Sequence, residues 1–452
     1  MTPFDTSTFL VLGLGLTGMS CVEFLHANVA SKQLRVMDDR PAEALSEPAL
    51  LKLNELGLDH HVSSWNEQWL DWADYIVISP GIDPNQSVFA PYQAKLINDL
   101  TLFSWVAKAP IYAVTGSNGK STVVHLLETL FKASGKNVAM GGNFGLPMLS
   151  LLDNAVDAYV LELSSFQLEV AGEVAYQAAS FLNLSEDHMD RHGDMATYGQ
   201  IKSSIYQNAA VCISNADDQA TWPTPKASEA CVHWQFSTKN AADACLIDGC
   251  LSVHGQALLS ADELKLVGEH NLSNVLAALL LISAQEPKRL NQQDKGDKVF
   301  DEALLKTLRD YSGLEYRCQL IAEKNNIRWV NDSKGTNVGA TVAACEGLSD
   351  QKNLILLVGG VGKDADFSEL GRLNTIKSAI GFGRDGRDII ALMSQTQTQY
   401  VETLEEAVAC ANDLAEAGDT VLFSPACASF DQFTNYQARG QAFNALVSEV
   451  LQ

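Results

Sequence analysis

Short apolar runs alternate with stretches of helical periodicity along nearly the whole chain. Runs at 8–12, 34–37 and 75–79 read as buried strands, and the pattern returns at 111–114, 158–163, 327–331, 354–358 and 420–423. Between them apolar residues recur every three or four positions. Val123, Leu126, Leu127, Leu130 and Phe131, closed by Gly135, predict a helix with one apolar face. Continuous apolar strands alternating with helices predict an α/β protein whose sheets are mostly parallel and covered on both faces. At 452 residues the chain is long enough for about three domains. The pattern divides as 1–98, 99–313 and 314–452. The stretch 217–262 is the weakest in pattern, and no function is assigned to it.

Two glycine loops sit where strands turn into helices. Gly13-Leu14-Gly15-Leu16-Thr17-Gly18 follows the first strand, with Asp38 and Asp39 at the end of the next. These glycines suit a dinucleotide, and they suit any nucleotide diphosphate or nucleotide sugar equally well. Gly116-Ser117-Asn118-Gly119-Lys120-Ser121-Thr122 leaves the strand 111–114 and opens the helix that contains Val123. Backbone N–H groups of such a turn face one cluster of anionic oxygens, Lys120 adds a mobile positive charge, and the hydroxyl of Ser121 or Thr122 suits Mg²⁺. The spacing is one residue class away from the strict phosphate-loop pattern, because Val114 stands where a glycine would. A nucleoside triphosphate enzyme is the reading, against a plain helix-capping turn.

Composition narrows the partners. With 31 Lys and Arg against 55 Asp and Glu, the formal net charge is −24, which repels nucleic acid and anionic membranes. No stretch is long and apolar enough to span a bilayer, so no membrane insertion is expected. The nine cysteines are scattered, without C-x-x-C or zinc spacing, and read as buried or idle thiols of a reducing, cytoplasmic compartment. Tyr198, Ile201 and Ile205 form a helical stripe bordered by Lys202, an arrangement that desolvates an amine.

Further segments complete a set: Glu162-Leu163-Ser164-Ser165-Phe166-Gln167, then 183–192 with His188, then Gly268-Glu269-His270-Asn271, and 424–433 near the C-terminus. Together with both glycine loops they resemble the Mur ligases of peptidoglycan synthesis over essentially the whole chain. The resemblance implies a Rossmann-like N-terminal domain for a UDP-linked substrate, a central phosphate-loop-type ATPase domain with a mostly parallel sheet, and a Rossmann-like C-terminal domain for the incoming amino acid. It implies ATP and two Mg²⁺ ions as cofactors, UDP-N-acetylmuramoyl-L-alanine and D-glutamate as substrates, and a monomer. Gly116 to Thr122, with Asn271, Arg317, Asp332 and Lys334, would bind ATP. Leu16, Thr17, Asp39, Arg40, Gly81, Asn143, Ser164 and Gln167 would bind the UDP-linked substrate, and Thr336, Lys363, Ser429 and Phe430 the D-glutamate. Ser121, Glu162, His188 and a carbamylated Lys202 would hold the metals, with Lys120 at the transferred phosphoryl group. Tyr316 stands where related sequences often have histidine.

The chemistry is coherent without the resemblance. A carboxylate is a poor electrophile until a phosphoryl group is transferred to it, and the acyl phosphate then yields to an amine. That reaction needs cations around crowded oxygens more than it needs a general acid. The competing readings are an NAD-dependent dehydrogenase, a ligase of the same superfamily with another substrate, and a non-catalytic nucleotide-binding regulator. The first leaves Lys120, Glu162 and His188 without a task.

Overall fold

The computed structural model describes residues 3–153, 155–224, 231–266, 268–285, 300–349, 351–362 and 365–451. Three sheets succeed one another along the chain. The first is wholly parallel, in the spatial order Asp59–Val62, Leu34–Asp38, Phe9–Leu12, Tyr75–Ile78, Leu96–Ile97. Its strand order reverses between Phe9–Leu12 and Tyr75–Ile78, and the Gly13 loop leaves the sheet at that crevice, where ligands of open α/β sheets bind.

The central sheet has nine strands. Ile111–Thr115 lies between Tyr176–Phe181 and Ala158–Glu162, parallel to both. All five residues of Ile111–Thr115 and of Ala158–Glu162 are buried, as expected of strands covered on both faces. The helix Lys120–Ala133 buries Val123, Val124, Leu126, Leu127, Leu130 and Phe131 in one core with the apolar helix Glu269–Ser283. The weakly patterned region extends this sheet through Val232–Ser237, Ala244–Ile247, Cys250–Val253 and Gln256–Ser260, the last three antiparallel. Its two tight turns, Asp248-Gly249 and His254-Gly255, have positive φ at both positions, the geometry that hairpin twist selects.

In the third sheet Ile327–Asn331, Thr420–Phe423 and Leu354–Gly359 are parallel neighbours. The loops that follow them in sequence are far apart; the strand order sets them side by side. One expectation fails here. Cys212, on the strand Ala209–Asn215, forms a disulfide with Cys231, which precedes the neighbouring strand Val232–Ser237, while the other seven cysteines are in no disulfide. Nineteen residues separate the pair, and only the parallel pairing of their strands brings the Cα atoms to 6.2 Å.

Candidate active site

The phosphate loop turns where its residues permit. Gly116 has φ +154° and Gly119 φ +82°, and a Cβ on Gly119 would lie within van der Waals contact of the Asn274 side chain, so glycine is required there. Lys120 then starts the helix, and its Nζ folds back to donate to the carbonyls of Gly116 and Ser117, both at 2.8 Å. Burial lowers its pKa, with Glu162 and Asp187 pulling the other way. The Ser121 hydroxyl donates to Glu162 Oε2 at 2.5 Å and accepts from Arg317 Nη2 at 2.7 Å. Asn143 Nδ2 holds the other Glu162 oxygen at 2.7 Å. A carboxylate, a hydroxyl and a guanidinium from three distant segments thus converge on the first turn of one helix.

Lys202, on the helix Met195–Ser203, is 1% exposed, and its Nζ donates to Gly116 O at 2.9 Å while lying 4.7 Å from the Tyr198 ring. Burial, and then the charge of Lys120, hold its pKa well below the ordinary lysine value. His188 adopts φ +55° as the residue capping a short helix, with Asp187 Oδ2 3.7 Å from its Nε2. The ring packs edge-on against Phe166, 4.9 Å away, which orients it without covering it.

Arg317 enters from a bent linker. Tyr316 and Cys318 on either side have φ +64° and +45°, strained for non-glycine residues and typical of functional joints. Tyr316 itself is buried with its ring under Gly440, so it packs away from the cleft rather than toward it. Asp332 accepts from Cys318 N at 3.2 Å and from the Ser424 hydroxyl at 2.6 Å, and burial raises its pKa to about 6. Lys334 Nζ lies 4.2 Å over the Tyr436 ring. One cavity of about 590 Å³ is lined by Lys120, Ser121, Glu162 and His188 from the central segment and by Arg317 and Asp332 from the C-terminal one.

At the first sheet's crevice the acid that closes the site is Asp38. It is buried, and it accepts from Leu14 N at 2.8 Å and from Arg40 Nε and Nη2 at 2.9 and 2.7 Å. A carboxylate so occupied has little capacity left for a ribose hydroxyl, which weakens the case for Asp38 as the acid of a dinucleotide site. Leu16, the first residue of the helix that follows the Gly13 loop, is 87% exposed.

Three family models match the chain in order: the MurD-like N-terminal domain over 7–98, the Mur ligase middle domain over 114–282, and the Mur ligase glutamate ligase domain over 316–427. The chain belongs to the Mur ligase family. It is 44% identical over 460 residues to the UDP-N-acetylmuramoylalanine–D-glutamate ligase of Escherichia coli strain K12, with all of both chains covered. The ligase of the same name from Salmonella paratyphi A is 43% identical, again with full coverage. Solved structures share the fold: a pseudomurein peptide ligase type C from Methanothermus fervidus has a TM-score of 0.61 at 16% identity, over 98% of this chain and 100% of that one. The MurF ligase of Thermotoga maritima, solved with ADP, has a TM-score of 0.57 at 16% identity, covering 100% of this chain and 99% of that one.

Among the residues that the Mur ligase resemblance singles out, Ser117 to Thr122, Asn143, Glu162, His188, Asn271, Arg317, Asp332, Lys334 and Thr336 line the shared cavity. Gly116 and Lys202 stand just behind it, joined by their hydrogen bond. Leu16, Thr17, Asp39, Arg40 and Gly81 lie at the N-terminal crevice, where Asp39 is exposed and Asp38 does the structural work. Gln167 does not reach outward: it is buried, and its Nε2 donates to Asp99 at 3.0 Å while its Oε1 accepts from Ser164 N at 3.1 Å. Ser429 is buried and Phe430 is 71% exposed, and neither lines the cavity. Lys363 lies outside the described residues. Sequence reasoning gave no individual role to Asn274, His270, Asn183, Ser185, Asn215 or Asn337, which line the cavity. Asn183, Ser185 and His270 sit inside segments it did single out, Asn337 directly follows Thr336, and Asn274 follows Asn271 by three residues on one helical face, whereas Asn215 carried no signal.

Proposed function

We propose that the chain is an ATP-dependent ligase that joins D-glutamate to UDP-N-acetylmuramoyl-L-alanine in peptidoglycan precursor synthesis, releasing ADP and phosphate. One observation carries the chemistry: Ser121 is gripped at once by Glu162 and, across the cleft, by Arg317. The full-length identity to ligases of that name carries the choice of substrates.

In the reaction a carboxylate oxygen of the alanyl group attacks the γ-phosphorus of ATP and ADP leaves. The D-glutamate amine attacks the resulting acyl carbon, phosphate leaves with the bonding pair, and the amine proton passes to solvent. Lys120, once it trades its backbone carbonyls for phosphate, neutralises charge on the transferred group, and Arg317 does so from the other side of the cleft. Asn143 keeps Glu162 turned into the cradle.

The donor set suits Mg²⁺. Among the described residues no three His, Cys, Asp or Glu side chains form a ready cation site, and magnesium characteristically takes one or two carboxylates and completes its shell with phosphate and water. Ser121 and Glu162 would hold one ion; Glu162, His188 and a carbamylated Lys202 would hold a second. Bound there, the ions offset the negative charge crowded onto phosphate and acyl oxygens. The buried, depressed-pKa amine of Lys202 favours the neutral form that combines with CO₂.

We assign 1–98 to the UDP-linked substrate, 99–313 to ATP and 314–452 to D-glutamate, the last through Thr336, Lys363, Ser429 and Phe430. The protein works as a cytoplasmic monomer in this reading. The compartment is argued from its ATP and nucleotide-linked substrates, since two of its cysteines are paired. No helix among the described residues is long and apolar enough to cross a membrane. The test is ADP release with UDP-N-acetylmuramoyl-L-alanine, comparing D-glutamate, L-glutamate and other amino acids. Turnover with D-glutamate alone is expected; equal turnover with L-glutamate, or none with any amino acid, rejects the assignment.

A further inference from the structure

The C-terminal segment touches the phosphate loop at one place where a side chain has been left out. The helix Val338–Leu348 begins at Asn337, whose Oδ1 accepts from Ala340 N at 2.8 Å while its Nδ2 donates to Asp187 Oδ2 at 3.3 Å. In the first turn of that helix, a Cβ on Gly339 would stand 2.9 Å from Ser185 Oγ and 3.2 Å from Ser185 Cβ, where ordinary contact starts at 3.4 Å. Ser185 has little room to retreat. Its carbonyl accepts from the Ser117 hydroxyl at 2.8 Å, its N–H donates to the same hydroxyl at 2.9 Å, and its own Oγ accepts from Asn118 Nδ2 at 3.3 Å. Moving Ser185 therefore moves the phosphate loop.

We infer that Gly339 is the seat on which the C-terminal segment rests against the phosphate loop, and that the Asn337–Asp187 hydrogen bond fixes its register. Both are positioning residues: they touch no reacting atom, and they set the distance at which Arg317 and the amino-acid loops meet the triphosphate. Glycine is unusual in a helix, where alanine is favoured by propensity. No positive φ demands it at 339, so the requirement is the close approach alone.

The inference rests on the cleft being the ligase site, and the experiment separates the two. In the full-length enzyme, Gly339→Ala is compared with the parent for thermal midpoint, affinity for Mg²⁺ with a non-hydrolysable ATP analogue, D-glutamate-dependent ADP release, and radius of gyration from small-angle scattering. The expected midpoint is unchanged or higher, and analogue affinity is within about three-fold. Turnover falls by roughly 10- to 100-fold because the added methyl lowers the population of the docked arrangement by about that factor, and the radius of gyration rises as the C-terminal segment stands away from the phosphate loop. Ser185→Gly, which removes the atoms a methyl would strike, restores part of the turnover when added to Gly339→Ala. Gly339→Ala turnover within about two-fold of the parent, a loss of analogue affinity in step with turnover, or no recovery in the double variant overturns the seat. A parent that releases no ADP with D-glutamate defeats the reaction assignment instead, and an unchanged radius of gyration in Gly339→Ala then overturns the seat on its own.

Discussion

Asp99 opens the helix Asp99–Val106 at the junction between the first and second sheets, 2% exposed, with Gln167 Nε2 on its Oδ2. Burial raises its pKa from 3.8 to about 6, against smaller pulls from Gln167 and from the amides of Leu100 and Asp99. Between those two values the folded chain keeps a proton that the unfolded chain has lost. Stability therefore falls as pH rises through the window, and above pH 6 the cost stays constant. About two units at about 1.4 kcal/mol each is about 3 kcal/mol, roughly half of it accruing between pH 5 and 7. Asp99→Asn keeps a carbonyl oxygen for Gln167 and cannot ionise, so its advantage over the parent should widen by about 1.5 kcal/mol from pH 5 to pH 7. For a chain this size unfolding as one unit that is a gain of roughly 1–2 °C in the difference between midpoints, read by circular dichroism at the two pH values. Turnover should stay within about two-fold, because Asp99 and Gln167 are buried against each other and neither lines the cleft. An advantage that is flat or shrinking with pH refutes the burial argument; a large loss of turnover returns Gln167 to the substrate.

His270 behaves with the opposite sign. Burial lowers its pKa from 6.5 to about 4, so the fold is fully stable above 6.5 and should lose about 3 kcal/mol on titration to pH 4, a loss that His270→Asn abolishes in acid-unfolding curves. Lys202→Met should raise the thermal midpoint, because it removes a buried amine, and should abolish turnover; Lys202→Ala should regain some ADP release with added short carboxylic acids, and no regain would remove the carbamate role. Arg191 pairs with Glu169 at 2.8 Å and donates to the carbonyl of Ile82 at 3.3 Å, next to Gly81. Arg191→Met should raise KM for the UDP-linked substrate by about ten-fold, equivalent to one lost charged hydrogen bond, with KM for ATP unchanged in steady-state assays.

Local pattern was enough for much of this molecule. Strands at 9–12, 111–115, 158–162 and 420–423, the helix after Lys120, and the two glycine loops follow from apolar periodicity and from backbone turns that few residues other than glycine adopt. The hairpins within 217–262 were also written locally, in Asp248-Gly249 and His254-Gly255, but short strands of mixed burial leave too weak a period to read. The grouping of Lys120 with Ser121 was legible because a triphosphate cradle constrains neighbours in sequence, whereas Glu162 reaches Ser121 through the pairing of its strand with Ile111–Thr115.

What sequence spacing does not encode is which distant groups share a low-dielectric space. Asp38 rather than Asp39 faces the glycine loop because side chains alternate along a strand and its register turns one of the two inward. Gln167 turns to Asp99, Tyr316 packs beneath Gly440, and Cys212 meets Cys231 because strand order and domain docking chose their neighbours. The residue types and their local turns were set by the chain itself. The cleft, with Arg317 and Asn337 brought against the phosphate loop, exists only when the separately patterned central and C-terminal sheets are packed together, since burial and mutual distance are properties of the whole fold.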